Sequence, residues 1–74
     1  MKDDELRIII SQNLRRYREE AGLSQEELGS HFGKAKTSVA SWEQNAKSLP
    51  DAALLYHIAE FYNKPIEDFF KRRE

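Results

Sequence analysis

LSQEELGSHFGKAKTSVASWEQ, residues 23–44, carries two short amphipathic segments separated by Gly33. Ser24-Gln25-Glu26-Glu27 has the form of a capping box, in which the Ser24 hydroxyl accepts from the Glu27 amide and Glu27 reaches back to the Ser24 amide. A helix starting there runs to about Phe32, with Leu28 and Phe32 four apart on its inner side. Gly33 closes it, and a second helix follows from about Lys36 to Gln44, anchored by Val39 and Trp42 three apart. The opposite edge of that second helix is Lys36, Thr37, Ala40, Ser41 and Gln44, mostly short and polar. Gly29 is small where the two helices approach each other.

The remainder of the chain is helical in period, with no sustained strand-like alternation. Leu6, Ile10, Leu14 and Tyr17 mark one stripe of a helix from about Asp4 to Glu20. Asp3, Asp4 and Glu5 suit its positive N-terminal dipole, and Gly22 suits its left-handed cap. Leu49-Pro50-Asp51 opens another helix, Ala52 to Tyr62, with Asp51 as N-cap. Asn63-Lys64-Pro65 breaks it, and a last short helix carries Ile66, Phe69 and Phe70. The expectation is an all-α fold of five helices in a single domain, residues 1–74.

Seventy-four residues lie near the lower limit for a core held without staples. With no cysteine there is neither a disulfide framework nor a thiolate metal site, which points to a reducing, cytoplasmic home. No apolar run reaches membrane-spanning length, and MKDDELRIII is too acidic for a signal peptide. The formal net charge of −1 does not announce nucleic acid, but its distribution is uneven. From Leu28 to Trp42 no acidic residue occurs, whereas Lys34 and Lys36 do, and Lys47 extends the basic zone. Phosphate contact depends on that local field rather than on the total. His31 and His57 form no ligand pattern, and Glu26-Glu27 serves capping rather than acid–base work, so neither a metal, a cofactor nor catalysis is expected.

Two short helices about a glycine-containing turn meet the demands of a DNA-reading helix-turn-helix. The segments LRRYREEAGLSQEEL (14–28), GKAKTSVASWEQN (33–45) and IAEFYNKPIEDFF (58–70) together resemble the phage-repressor and Cro type (XRE-like) family, whose fold is that of the lambda repressor domain. The resemblance implies that Lys36, Thr37 and Ser41, with Ser38 beside them, read bases. It implies phosphate contacts at Gln25, Gln44, Asn45 and Lys47, and a structural ion pair between Arg18 and Glu43. Three departures stand out. Ala35 replaces a capping Ser or Thr, Lys34 replaces an apolar residue and offers a phosphate contact, and the loop before Pro50 is one residue longer.

Some apolar residues exceed what a small core holds: Leu6, Ile8, Ile9, Leu54, Tyr56, Phe61 and Phe70. A patch from the fourth helix to the C-terminal helix, with Tyr56, Phe61, Phe69 and Phe70, is the expected homodimer interface. The functional expectation is a sequence-specific regulator of transcription that occupies an inverted-repeat operator in double-stranded DNA as a two-fold dimer. The rival is an antitoxin-like protein-interaction module on the same scaffold, with an unknown protein partner and little affinity for DNA.

Overall fold

The computed structural model describes residues 2–44 and 48–73. Four α-helices follow one another: α1 (Asp3–Glu20), α2 (Gln25–His31), α3 (Lys36–Gln44) and α4 (Ala52–Phe61). Among the described residues there is no strand. The expected fifth α-helix is instead a 3-10 helix, Ile66–Phe70. Its bonding is of the i→i+3 kind from the start, with Asp68 N–H donating to the Pro65 carbonyl at 3.0 Å, as is common in runs this short.

Local chemistry sets the boundaries. Ser24 and Glu27 form the reciprocal capping box, with Glu27 N–H donating to Ser24 Oγ at 3.0 Å and Ser24 N–H to Glu27 Oε1 at 2.8 Å. The bond from the Ser24 backbone N–H, and then the Ser24 hydroxyl, hold the Glu27 carboxyl below its ordinary range. Asp51 caps α4 by accepting from Leu54 N–H at 2.8 Å.

Helices α1, α2 and α4 all end in one device. A residue in the left-handed region follows the cap, at Gly22 (φ +73°), Gly33 (φ +68°) and Asn63 (φ +56°). The amide beyond each then returns to a carbonyl five residues back: Leu23 to Arg18 at 3.2 Å, Lys34 to Gly29 at 2.7 Å, Lys64 to Ala59 at 2.9 Å. These Schellman turns use carbonyls that a helix end would otherwise leave unbonded.

The core is one cluster, built from Ile10, Leu14 and Tyr17 of α1, Leu28 of α2, Val39 and Trp42 of α3, Leu55, Ile58 and Ala59 of α4, and Phe69. Two expectations about apolar surplus are corrected here. Phe69 is fully buried, its ring 4.9 Å from that of Tyr17, so it belongs to the core and not to a dimer surface. Ile9, counted among residues the core cannot hold, is only 2% exposed. In both cases the reason is the C-terminal segment, which folds back against α1 and covers a face that the helix period leaves open. Leu6 and Leu54 pack partly buried against the core. Ile8, Tyr56, Phe61 and Phe70 remain exposed.

Two buried polar residues of α1 bind distant parts of the chain. Ser11 Oγ donates to the Trp42 carbonyl at 2.6 Å, joining α1 to α3. Asn13 Nδ2 donates to the carbonyls of Phe69 at 2.9 Å and Lys71 at 2.8 Å, holding the C-terminal segment. Nothing in the sequence period distinguishes these polar side chains from solvated ones.

Candidate nucleic-acid interface

Helix α3 is seated by Val39, with no exposed surface, and Trp42, 5% exposed. At about 100° per residue, Thr37, Ser41 and Gln44 stand opposite that seated edge, while Lys36 and Ser38 flank it on either side. Lys36, Thr37 and Gln44 are exposed; Ser38, Ala40 and Ser41 are half-buried. The outer surface of α3 is therefore low and polar, with the one long cation at its first turn. No acidic side chain lies in that turn. Lys34 is exposed in the turn ahead of it. Asn45 and Lys47, expected to contact phosphate, lie outside the described residues.

The tight connection from α2 to α3 depends on Gly29. A Cβ at that position would fall onto the backbone carbonyl oxygen of Lys34, with Lys34 C at 3.3 Å and Ala35 C at 3.4 Å. Only a glycine lets the turn pass this close, and the closeness sets the angle at which α3 leaves the body. The first turn of α3 hangs on the Ala35 carbonyl, which accepts from Ser38 N–H at 3.0 Å and Val39 N–H at 3.3 Å.

The far end of α3 is pinned by charge. Arg18 forks onto Glu43, Nε to Oε2 at 2.8 Å and Nη2 to Oε1 at 2.9 Å, and its Nη1 donates to the Leu23 carbonyl at 2.7 Å. Gln25 Nε2 adds a third donor to Glu43, at 3.1 Å from Oε1. The node thus ties the end of α1, the start of α2 and the end of α3 at one carboxylate. The bond to Glu43 raises the Arg18 pKa above its ordinary value, against the opposing effect of burial. Tyr62, at the end of α4, brings a buried hydroxyl with no hydrogen-bond partner among the described residues. Burial first, and then the Glu43 charge, push that phenol up to about 12.

Beside the node opens a recess of about 340 Å³ lined by Arg15, Arg18, Gln25, Ala40, Glu43 and Gln44. It brings together Gln25 and Gln44, two of the residues expected to meet phosphate, and adds Arg15, which the sequence reading passed over. Arg15 is 63% exposed and pairs with Glu19 at 3.2 Å. A signal was available, since Arg15 lies one turn before Arg18 and shares its side of α1. Tyr56, Phe61 and Phe70 of the expected dimer surface are exposed, Phe61 with its ring 4.3 Å from that of His31. Among the described residues no cluster of His, Cys, Asp or Glu is placed to hold a metal ion, and no helix is long and apolar enough to cross a membrane.

A family model described as Helix-turn-helix matches residues 14–69. The chain belongs to the XRE-type helix-turn-helix family. This is a family of DNA-binding domains, and the match spans the node, the turn and the seated helix just described. Its limits, Leu14 and Phe69, are both core residues, and the core extends beyond the matched stretch to Ile10 of α1. No curated protein and no solved structure gives a significant match.

Proposed function

We propose that this helix-turn-helix domain is a sequence-specific regulator of transcription that acts by occupying an operator in double-stranded DNA. The observation that carries the reading is the seating of α3: Val39 and Trp42 buried, Thr37 and Gln44 exposed on the opposite edge. A helix with so low a polar edge fits a major groove about 12 Å wide. Lys36 donates to guanine O6 and N7, and the hydroxyls of Thr37, Ser38 and Ser41 pair with neighbouring base edges. Phosphate contacts come from the rim, at Arg15, Gln44 and Lys34, and from Asn45 and Lys47 beyond the described residues. Gln25 both braces and binds: one side-chain N–H is given to Glu43, while the second amide N–H and the backbone N–H at the head of α2 are the donors for phosphate.

Two copies related by a two-fold axis would set their reading helices about 34 Å apart, matching an inverted repeat. The exposed Tyr56, Phe61 and Phe70 support that assembly. The same aromatic surface favours the second reading, a module whose partner is another protein. Salt separates the two: several phosphate contacts give log K falling with log salt at about 0.9 per contact.

Selection of bound duplexes from a random pool tests the proposal directly. A two-fold symmetric site is expected, with Lys36→Ala costing about 1–3 kcal/mol on it and relaxing preference at one base pair. Lys34→Ala is expected to weaken all sequences alike. Flat, salt-independent affinity for selected and random duplexes would overturn the regulator reading in favour of the protein-binding module. Scattering mass in solution decides the dimer.

A further inference from the structure

The segment after the 3-10 helix returns along α1. Asn13 Nδ2 holds its carbonyls, as described, and Arg73 closes it by donating to Glu20 at 2.7 and 3.2 Å. The Arg73 guanidinium also lies over the Tyr17 ring, 4.8 Å from its centre. Between this segment and α1 is a cleft of about 160 Å³, lined by Ile9, Gln12 and Arg16 on one side and Lys71, Arg72 and Arg73 on the other, with Asn13 at its base.

Four cations line that space and no carboxylate does. The nearest acids stand outside the lining. Asp68 is 3.7 Å from Lys71 Nζ and Glu5 is 3.9 Å from Arg72 Nη2, both beyond hydrogen-bond length. Glu20 is engaged with Arg73. Arg16 has no direct hydrogen bond or ion pair among the described residues, and its charge acts on Glu20 only at longer range, after that of Arg73 and Lys64. At about 100° per residue, Ile9, Asn13 and Arg16 lie on the opposite side of α1 from Ser11 and Arg18, which hold α3. We propose that this cleft binds a small phosphate-bearing anion, independently of the DNA interface. Guanidinium groups suit tetrahedral oxyanions because their planar N–H pairs meet two oxygens at once. Arg16 and Arg72, one from each wall, are the forks that grip it, and Gln12 supplies an amide donor. Occupancy joins α1 to the C-terminal segment across the cleft and so stabilises the fold by mass action.

The test titrates the isotope-labelled full chain with inorganic phosphate, then pyrophosphate, at ionic strength matched with chloride. Saturable amide shifts are expected at Gln12, Asn13, Arg16 and Lys71 to Arg73, with pyrophosphate the tighter ligand. Arg16→Gln and Arg72→Gln are both exposed changes, and each weakens binding about tenfold, the loss of one charge-assisted bond. Lys36→Ala leaves it unchanged. Shifts that never saturate, that persist undiminished in both glutamine variants, or that centre on Lys34 and Lys36 would overturn the site. Movement of the same amides with duplex DNA but not with either anion would overturn it as well, reassigning the cleft to a nucleic-acid backbone.

Discussion

Removing Glu43 isolates the energetics of the node. Its side chain is 3% exposed and that of Arg18 is 11%, so the fork between them is almost fully withdrawn from water. Glu43→Leu leaves a guanidinium buried with the Leu23 carbonyl as its remaining partner, a loss on the order of 3–5 kcal/mol. A chain of this length is stable by on the order of 5 kcal/mol, so the single variant sits close to unfolding. Arg18→Met strands the carboxylate instead, with only Gln25 to satisfy it, and costs a similar amount. The double variant Arg18→Met/Glu43→Leu removes both charges and fills much of their volume with apolar atoms. It is expected to lie within about 2 kcal/mol of the parent, because the desolvation cost of the pair disappears along with its attraction.

Urea unfolding read from Trp42 measures all three. It is the only tryptophan of the chain, and it is seated on α3 beside the node. The coupling energy of the cycle is then several kcal/mol and insensitive to salt, unlike that of an exposed pair. Additive losses, or a Glu43→Leu cost below about 1 kcal/mol, would show that water reaches the fork and that the node is a surface pair of little consequence. Even in the double variant DNA affinity is expected to fall, since Gln25 loses the acceptor that orients it.

Other perturbations probe separate parts of the reading unit. Gly29→Ala drives a methyl group into the Lys34 carbonyl and is expected to cost about 1–3 kcal/mol in urea unfolding, with DNA affinity falling further because the exit angle of α3 changes. Ala35→Ser supplies the absent side-chain cap of α3 and is expected to add about 1 kcal/mol, read as a rise in Tm; no rise would mean that the first turn already has a substitute. Tyr62→Phe deletes a buried hydroxyl without a partner and is expected to be neutral or stabilising near neutral pH. Its folded pKa of about 12 exceeds the ordinary 10.0, so the neutral form is favoured by folding. Stability from this group is therefore complete below pH 10 and is lost as pH rises from 10 towards 12, and the phenylalanine variant should lose less over that span. An unchanged alkaline profile would place the phenol in water.

Features that depend on neighbours in the chain were legible before any coordinates. The Ser24–Glu27 box, the Asp51 cap, the left-handed Gly22, the helix ends at Gly33 and Asn63, and the Val39–Trp42 spacing all arise from interactions within a few residues. For these, side-chain type and spacing suffice. The Arg18–Glu43 pair was legible only through family resemblance, since the two charges stand twenty-five positions apart, beyond any local rule. Folding back of the C-terminal segment could not be read at all. It took Phe69 from an expected surface into the core, buried Ile9, and turned Asn13 from an ordinary polar position into a tie to the last residues. Those outcomes depend on which face of α1 the last residues cover, and a helix period states only that a face is apolar, not what will lie against it.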